Sequence, residues 1–252
     1  MILTEDFNHN VYDPIKRAEE TARIVCKGTH RKYYRFRPAR FYGGIGTADC
    51  LGCCLQCLFC WSWDKVMKPA RYGKFYSPQQ VAGKLTNIAT KKGFRKVRIS
   101  GNEPTISREH LIQVLDRIPQ DLLFILETNG ILIGYDSTYA RELSKFENLY
   151  VRVSMKGADK EEFTRLTGSD PAGFELQIQA LKNLVRFNVN VHPAVMVSFS
   201  SPENIKALRT RLSEINEDFK DFEAEELALY GKVEERLRKA GLMYEKRNGL
   251  GA

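Results

Sequence analysis

The stretch that decides the fold reads Cys50-Leu51-Gly52-Cys53-Cys54-Leu55-Gln56-Cys57-Leu58-Phe59-Cys60-Trp61. Within it Cys53, Cys57 and Cys60 stand in the spacing Cys-x3-Cys-x2-Cys. Iron–sulfur sites usually take four thiolates, so a tight loop presenting three leaves one iron of a four-iron cluster open to an outside ligand. That open iron is where a small molecule can be activated.

The same cysteines allow other readings. Cys50, Cys54 and Cys57 repeat the spacing in an earlier register. Cys50-x2-Cys53 followed by Cys57-x2-Cys60 also supplies the four thiolates of a tetrahedral zinc site. Only three residues separate those pairs, whereas roughly 12–20 is usual between zinc-binding pairs. Once Cys53, Cys57 and Cys60 are assigned, Cys26, Cys50 and Cys54 are left over. They read either as buried small hydrophobes or as ligands of a second iron–sulfur cluster.

Outward from this loop, the chain of 252 residues fits one domain, and 43% hydrophobic residues supply a sizeable core. An α/β barrel of this length is routine. No apolar run approaches the ~18 residues of a membrane span, and residues 1–10 lack the apolar stretch of a signal peptide. No membrane is expected as a partner, and the expected location is cytoplasmic, where clustered thiols stay reduced.

Lys and Arg outnumber Asp and Glu by 39 to 31, for a net charge of +8. Lys27, Arg31, Lys32, Arg35, Arg37 and Arg40 crowd one segment among Tyr33, Tyr34 and Phe36, and Lys91, Lys92, Arg95, Lys96 and Arg98 form a second group. Basic residues interleaved with aromatics suit phosphate contact and base stacking; the same run also reads as a solvated strand face.

Residues 1–40 are read as an N-terminal extension, 41–230 as a core barrel, and 231–252 as a C-terminal helix and tail. Strand-like and helix-like segments alternate through the core, the pattern of consecutive βα units on a parallel sheet. A first strand is expected over Arg40–Gly46, running into the cysteine loop. Ser77-Pro78 opens a helix through about Lys92, with Ser as N-cap and Pro at the first helical position. Further strands are expected at Lys96–Ser100, Leu122–Leu126, Leu149–Ser154, Val189–Val197 and near Phe222. Helices are expected at Ser107–Ile118, Thr138–Lys145, Lys160–Leu166, Phe174–Val185, from Ser201-Pro202, and over Glu226–Ala240. The prediction is an α/β fold, a partial (β/α)6 TIM-like barrel. In such barrels chemistry gathers where strands end, and Gly101–Pro104, Glu127–Gly130, Ser154 and Lys156 all follow predicted strands.

The cysteine loop resembles that of the radical S-adenosylmethionine (SAM) superfamily, in which the amino and carboxylate groups of SAM occupy the open iron. An aromatic before the last cysteine is typical there, and Phe59 stands in that place; the alternative register offers Gln56, so Cys53, Cys57 and Cys60 are preferred. Ser100-Gly101-Asn102-Glu103-Pro104 resembles the family's Gly-Gly-Glu-Pro motif, with Asn102 departing from its second glycine. Glu127-Thr128-Asn129-Gly130 and Ser154-Met155-Lys156 are similar to segments of pyruvate formate-lyase activating enzymes and their relatives, and so is the Thr-Gly segment ending at Gly168.

The resemblance implies a [4Fe–4S] cluster on Cys53, Cys57 and Cys60, and SAM held by Gly101, Asn102 and Glu103 at its amino group. It places Glu127, Thr128, Ser154 and Lys156 around ribose and carboxylate, and Val195 by the adenine. His192 reads either as a packed residue or as part of that adenine pocket. The implied activity is reductive cleavage of SAM to a 5′-deoxyadenosyl radical that abstracts hydrogen, as in glycyl-radical activases. The implied partners are a macromolecular substrate, protein or transfer RNA, and an electron donor such as ferredoxin or flavodoxin. Cys60-Trp61 and the upstream cysteines are also similar to archaeal wyosine-forming enzymes, which modify transfer RNA and carry a second cluster. A noncatalytic, zinc-stabilised RNA-binding module is the reading from another class.

Overall fold

The computed structural model describes residues 11–242 and Tyr244. The polar N-terminus over 1–10 and the expected tail beyond 244 lie outside the described residues. Among those described, the strands are β1 (Cys26–Lys27), β2 (His30–Ala39), β3 (Ile45–Cys50), β4 (Lys74–Tyr76), β5 (Lys96–Ser100), β6 (Leu123–Thr128), β7 (Leu149–Met155), β8 (Val191–Met196) and β9 (Glu223–Glu225). They form one sheet in the order β1-β2-β3-β5-β6-β7-β8-β9, with β4 on β2. Each neighbouring pair from β3 to β9 is parallel. Six parallel strands in an open sheet make the expected partial (β/α)6 barrel.

The crossovers carry the helices Pro78–Lys92, Arg108–Leu115, Ser137–Leu143, Ala172–Arg186 and Pro202–Ser213. Local chemistry starts and stops them. Ser77 and Gln80 exchange side-chain and backbone hydrogen bonds in a capping box ahead of Pro78–Lys92, and Gly93 ends that helix in the left-handed conformation a glycine adopts without strain. All six residues of β3 are buried, as expected of a parallel strand covered on both faces.

The front of the chain differs from expectation. The first parallel strand is Ile45–Cys50 rather than Arg40–Gly46, because Phe41–Gly43 turns and Gly43 and Gly44 take φ of 75° and 116°. Cys50 therefore closes a strand and is fully buried. Ahead of it, β2 is antiparallel to β3, and the helix Pro14–Val25 leads into β1.

This placement leaves only part of the basic segment as a free surface. Arg31 and Lys32 are buried, and the Lys32 ammonium donates to the carbonyls of Pro69 and Ala70. Arg35 and Arg37 both donate to the buried carboxylate of Asp49 on β3. In the second group, Lys96 donates to the Tyr42 carbonyl and Arg98 to Glu127. At the other end, the expected helix Glu226–Ala240 is confined to Val233–Lys239, after Gly231 at φ 56°.

Candidate active site

A cavity of about 480 Å³ opens at the C-terminal ends of the parallel strands. Cys53, Cys57, Phe59, Cys60, Gly101, Asn102, Glu103, Glu127, Thr128, Ser154 and Lys156 all line it. Of the residues expected there only Val195 does not: it is fully buried in the core, and its neighbour Met196 faces the cavity. His192 also stands outside, half-buried, with Nε2 3.1 Å from a Glu223 carboxylate oxygen.

The cysteine loop is irregular, yet remote segments tie it down. The Tyr12 hydroxyl accepts from Gln56 N–H and donates to the Thr167 carbonyl, both at 2.9 Å. Arg236 donates to the carbonyls of Leu58 (3.0 Å) and Cys60 (2.6 Å), and Leu58 N–H donates to Leu166. Gly52 has φ 82°, and a Cβ there would meet the Thr21 methyl at 2.4 Å, so only glycine allows the helix Pro14–Val25 this close.

Burial pushes the Cys57 thiol well up and Cys60 to about 11, while a hydrogen bond from Cys54 pulls Cys53 down. A coordinating metal deprotonates such thiols outright. Among the described residues no three His, Cys, Asp or Glu side chains converge on a single metal ion; an iron–sulfur cluster instead takes each thiolate at a different iron. Of the other three, Cys26 accepts from Arg31, Cys50 at the end of β3 faces the same guanidinium, and Cys54 accepts from the Asn129 amide at 3.2 Å.

The loop after β5 is locked to its neighbours. Gly101 has φ 103°, and a Cβ there would lie 2.9 Å from the Cys50 carbonyl oxygen. Asn102, in the place of a glycine, accepts from Gly52 N–H at 2.8 Å, and Glu103 N–H donates to the Gly52 carbonyl at 2.9 Å. The buried Glu103 carboxylate accepts from Thr105 N–H, the Thr105 and Thr128 hydroxyls and Asn129 N–H, at 2.6–3.0 Å. Its side chain thus fastens the β5 loop to the end of β6.

Across the strand ends runs a charged network. Glu127 accepts from Arg98 (2.6 Å), Ser100 (2.6 Å) and Tyr42 (3.0 Å). Arg152 reaches Glu223 and Glu225 at 2.7–2.8 Å. Ser154 donates to Glu225 and accepts from the Lys156 ammonium, which lies 5.9 Å from the Phe59 ring centroid. Hydrogen bonds from His192 and Arg152 pull Glu223 down to about 2. Against burial, Lys156 and Arg152 hold Glu225 below the usual carboxylate range. Sequence reading missed Arg152, Glu223 and Glu225. Their signal was period-two polarity, Arg152/Ser154 late in the apolar strand β7 and Glu223/Glu225 across β9.

The radical SAM superfamily matches residues 50–211 of the chain. Among curated proteins, a probable GTP 3′,8-cyclase of Methanococcus vannielii is 31% identical over 47% of this chain and 38% of its own length. That of Methanococcus maripaludis is 29% identical over 57% and 50%. The chain thus spans half or less of these relatives. Among solved structures, Streptococcus suis SuiB bound to precursor peptide SuiA superposes with a TM-score of 0.57 at 19% identity, over 71% of this chain and 38% of its own. Spore photoproduct lyase also gives 0.57, at 11% identity, over 90% and 67%. Both share the fold.

Proposed function

The chain belongs to the radical SAM superfamily, and from that premise we propose that it holds its cluster on Cys53, Cys57 and Cys60 and abstracts hydrogen from a macromolecular substrate, as glycyl-radical activases do. It is a radical SAM enzyme whose cofactors are a [4Fe–4S] cluster and SAM; the zinc-module reading falls with that membership. When bound, the cluster supplies the electron that splits SAM into methionine and a 5′-deoxyadenosyl radical.

One observation carries the assignment: the three cysteines, the Gly101–Glu103 loop, Glu127 with Thr128, and Ser154 with Lys156 come from the ends of four separate strands and the loops after them and line one cavity. The glycine at Gly101 lets its loop close on the Cys50 backbone, and Glu103 holds that loop in place beside the cavity. Phe59 flanks the last cysteine and stands over Lys156. Ser154, Lys156 and Glu127 offer hydroxyl, ammonium and carboxylate groups suited to ribose and the methionine carboxylate, with Val195 acting only from behind Met196. Residues 41–230 carry the chemistry, and the C-terminal helix braces the loop through Arg236.

A peptide is the favoured substrate. The cations lining the cavity, Arg152 and Lys156, already face Glu223 and Glu225, which leaves little for a triphosphate; SuiB, of the same fold, binds a precursor peptide. The relatives named GTP 3′,8-cyclase favour a nucleotide as the second reading, ahead of transfer RNA, because four of the six cations in the basic segment are buried or already ion-paired. A ferredoxin or flavodoxin is the proposed electron donor.

The test is anaerobic reconstitution with SAM and reductant. 5′-Deoxyadenosine is the expected product. Deuterium passing into it from a labelled peptide, GTP or transfer RNA identifies the substrate class, and no 5′-deoxyadenosine with a full complement of iron defeats the proposal.

A further inference from the structure

Arg31 is only 1% exposed and makes no ion pair among the described residues. One of its terminal nitrogens donates to two carbonyls at once, Leu51 at 2.6 Å and Glu103 at 3.1 Å. The other donates to the Cys26 sulfur at 3.4 Å, and Nε has no partner. Leu51 is two residues ahead of the first cluster cysteine, and Glu103 ends the loop proposed to hold SAM. A single guanidinium therefore stitches together the two loops whose relative position sets where SAM meets the open iron. Its contacts lie beside the Asn102–Gly52 and Glu103–Gly52 hydrogen bonds, which join the same two loops.

A buried charge without a counter-charge is costly, and removing its partner leaves the cost standing. Nothing negative among the described residues answers Arg31 by contact. A four-iron cluster on three thiolates is net negative and gains one more negative charge on reduction.

We propose that Arg31 is a positioning residue that fixes the cysteine loop against the SAM loop, and that its buried positive charge favours the reduced cluster. The inference rests on Cys53, Cys57 and Cys60 being the cluster ligands. Arginine suits both tasks, since its planar fork binds several acceptors and stays charged in any surroundings. Lysine keeps the charge, but its ammonium ends one bond short of the terminal nitrogen that holds both carbonyls, and it has no second nitrogen for Cys26.

Wild type, Arg31→Lys and Arg31→Met are reconstituted anaerobically and their iron is counted. Cluster potential is followed by redox titration with electron paramagnetic resonance, and SAM affinity by equilibrium dialysis without reductant. Arg31→Lys is expected to keep the wild-type potential and to bind SAM about tenfold more weakly, the loss of one charge-assisted hydrogen bond. Arg31→Met should bind SAM as weakly or worse and show a more negative potential.

Unchanged SAM affinity in Arg31→Lys overturns the bridging role even if Arg31→Met does not fold. An Arg31→Met protein with full iron and an unshifted potential overturns the electrostatic role, and should Arg31→Met lose its iron, a clearly lowered potential in Arg31→Lys does the same. Retention of the cluster signal by wild type carrying Cys57→Ala would instead defeat the ligand assignment itself, independently of Arg31.

Discussion

The cysteine loop and the short strand Glu223–Glu225 both line the cavity, but they are held by opposite means. The loop has no regular structure, and its main chain is gripped from far away in sequence by Tyr12, Arg31 and Arg236. β9 is regular but only three residues long, and beyond its short ladder to β8 its grip is through side chains, with Glu223 and Glu225 on Arg152. Beyond it the rim is open: Tyr230 is 66% exposed, and Trp61, on the loop's own outer end, 49%. Backbone carbonyls answered by buried donors make an irregular segment as fixed as a strand. Cofactor geometry is thus written into the backbone, and the surface a substrate meets is left to side chains.

The largest effect should come from the fixed side. Cys57→Ala is expected to abolish the visible iron-dependent absorbance and all 5′-deoxyadenosine, because two thiolates cannot anchor a cluster with one iron open. Cys57 serves both registers, so Cys60→Ala and Cys54→Ala separate them: the first should lose activity and the second keep it. Full SAM cleavage by Cys60→Ala would move the cluster to the other register. Iron near four per chain, half of what two [4Fe–4S] clusters need, is expected in wild type, since Arg31 and Asn129 already donate to the sulfurs of Cys26 and Cys54.

Next in size is the brace behind Arg31. His110, buried on the helix Arg108–Leu115, faces the Thr29 carbonyl with Nδ1 at 2.7 Å and the Tyr33 hydroxyl with Nε2 at 2.9 Å. The carbonyl requires the proton on Nδ1, and the neutral ring then accepts from Tyr33 at Nε2. Burial pushes its pKa down to about 4 from 6.5. A depressed folded-state value stabilises the protein above the unfolded value, and that contribution drains away as pH falls from 6.5 towards 4. It is on the order of 3 kcal/mol. Urea unfolding at steps between pH 7 and 4.5 should show His110→Gln losing less stability than wild type over that window. Parallel curves would mean that His110 titrates normally.

How far this was legible follows from the same contrast. The caps at Ser77 and Ser201, the five later parallel strands, the cysteine spacing and the Ser100–Pro104 loop are local signals, and each fell near its predicted place. β2 was missed because an antiparallel strand rich in Arg and Lys reads like a solvated face; its arginines point at Asp49, a partner a dozen residues away that only strand pairing brings near. Val195 against Met196 is a question of strand parity, and β8, buried at both kinds of position, offers no alternation to decide it. Tyr12 and Arg236 grip the loop across more than 40 and 170 residues, and no local pattern announces such contacts.

Arg236 gives a moderate prediction. Its two hydrogen bonds to loop carbonyls are charge-assisted but only partly buried, so Arg236→Ala should release iron to a chelator about tenfold faster, the equivalent of roughly 1.4 kcal/mol. Anaerobic release followed by absorbance is the measurement. An unchanged rate would show that Tyr12 and Leu166 suffice to hold the loop.

The smallest effect concerns what remains of the basic segment as a surface. With Arg31 and Lys32 buried and Arg35 and Arg37 on Asp49, Lys27 and Arg40 are the two cations of that run left exposed without an ion pair among the described residues. If they met phosphates, each would contribute about 0.9 to the log–log salt slope on duplex nucleic acid and about 0.7 on single strands. Changing both to Ala could therefore lower the slope by no more than about 1.8. The expectation is smaller still: binding to bulk transfer RNA across a salt series should be weak in wild type and indistinguishable in Lys27→Ala with Arg40→Ala. A steep wild-type slope that collapses in the double variant would make this edge a nucleic-acid surface after all, and would move transfer RNA ahead of a peptide as the substrate brought to the open rim.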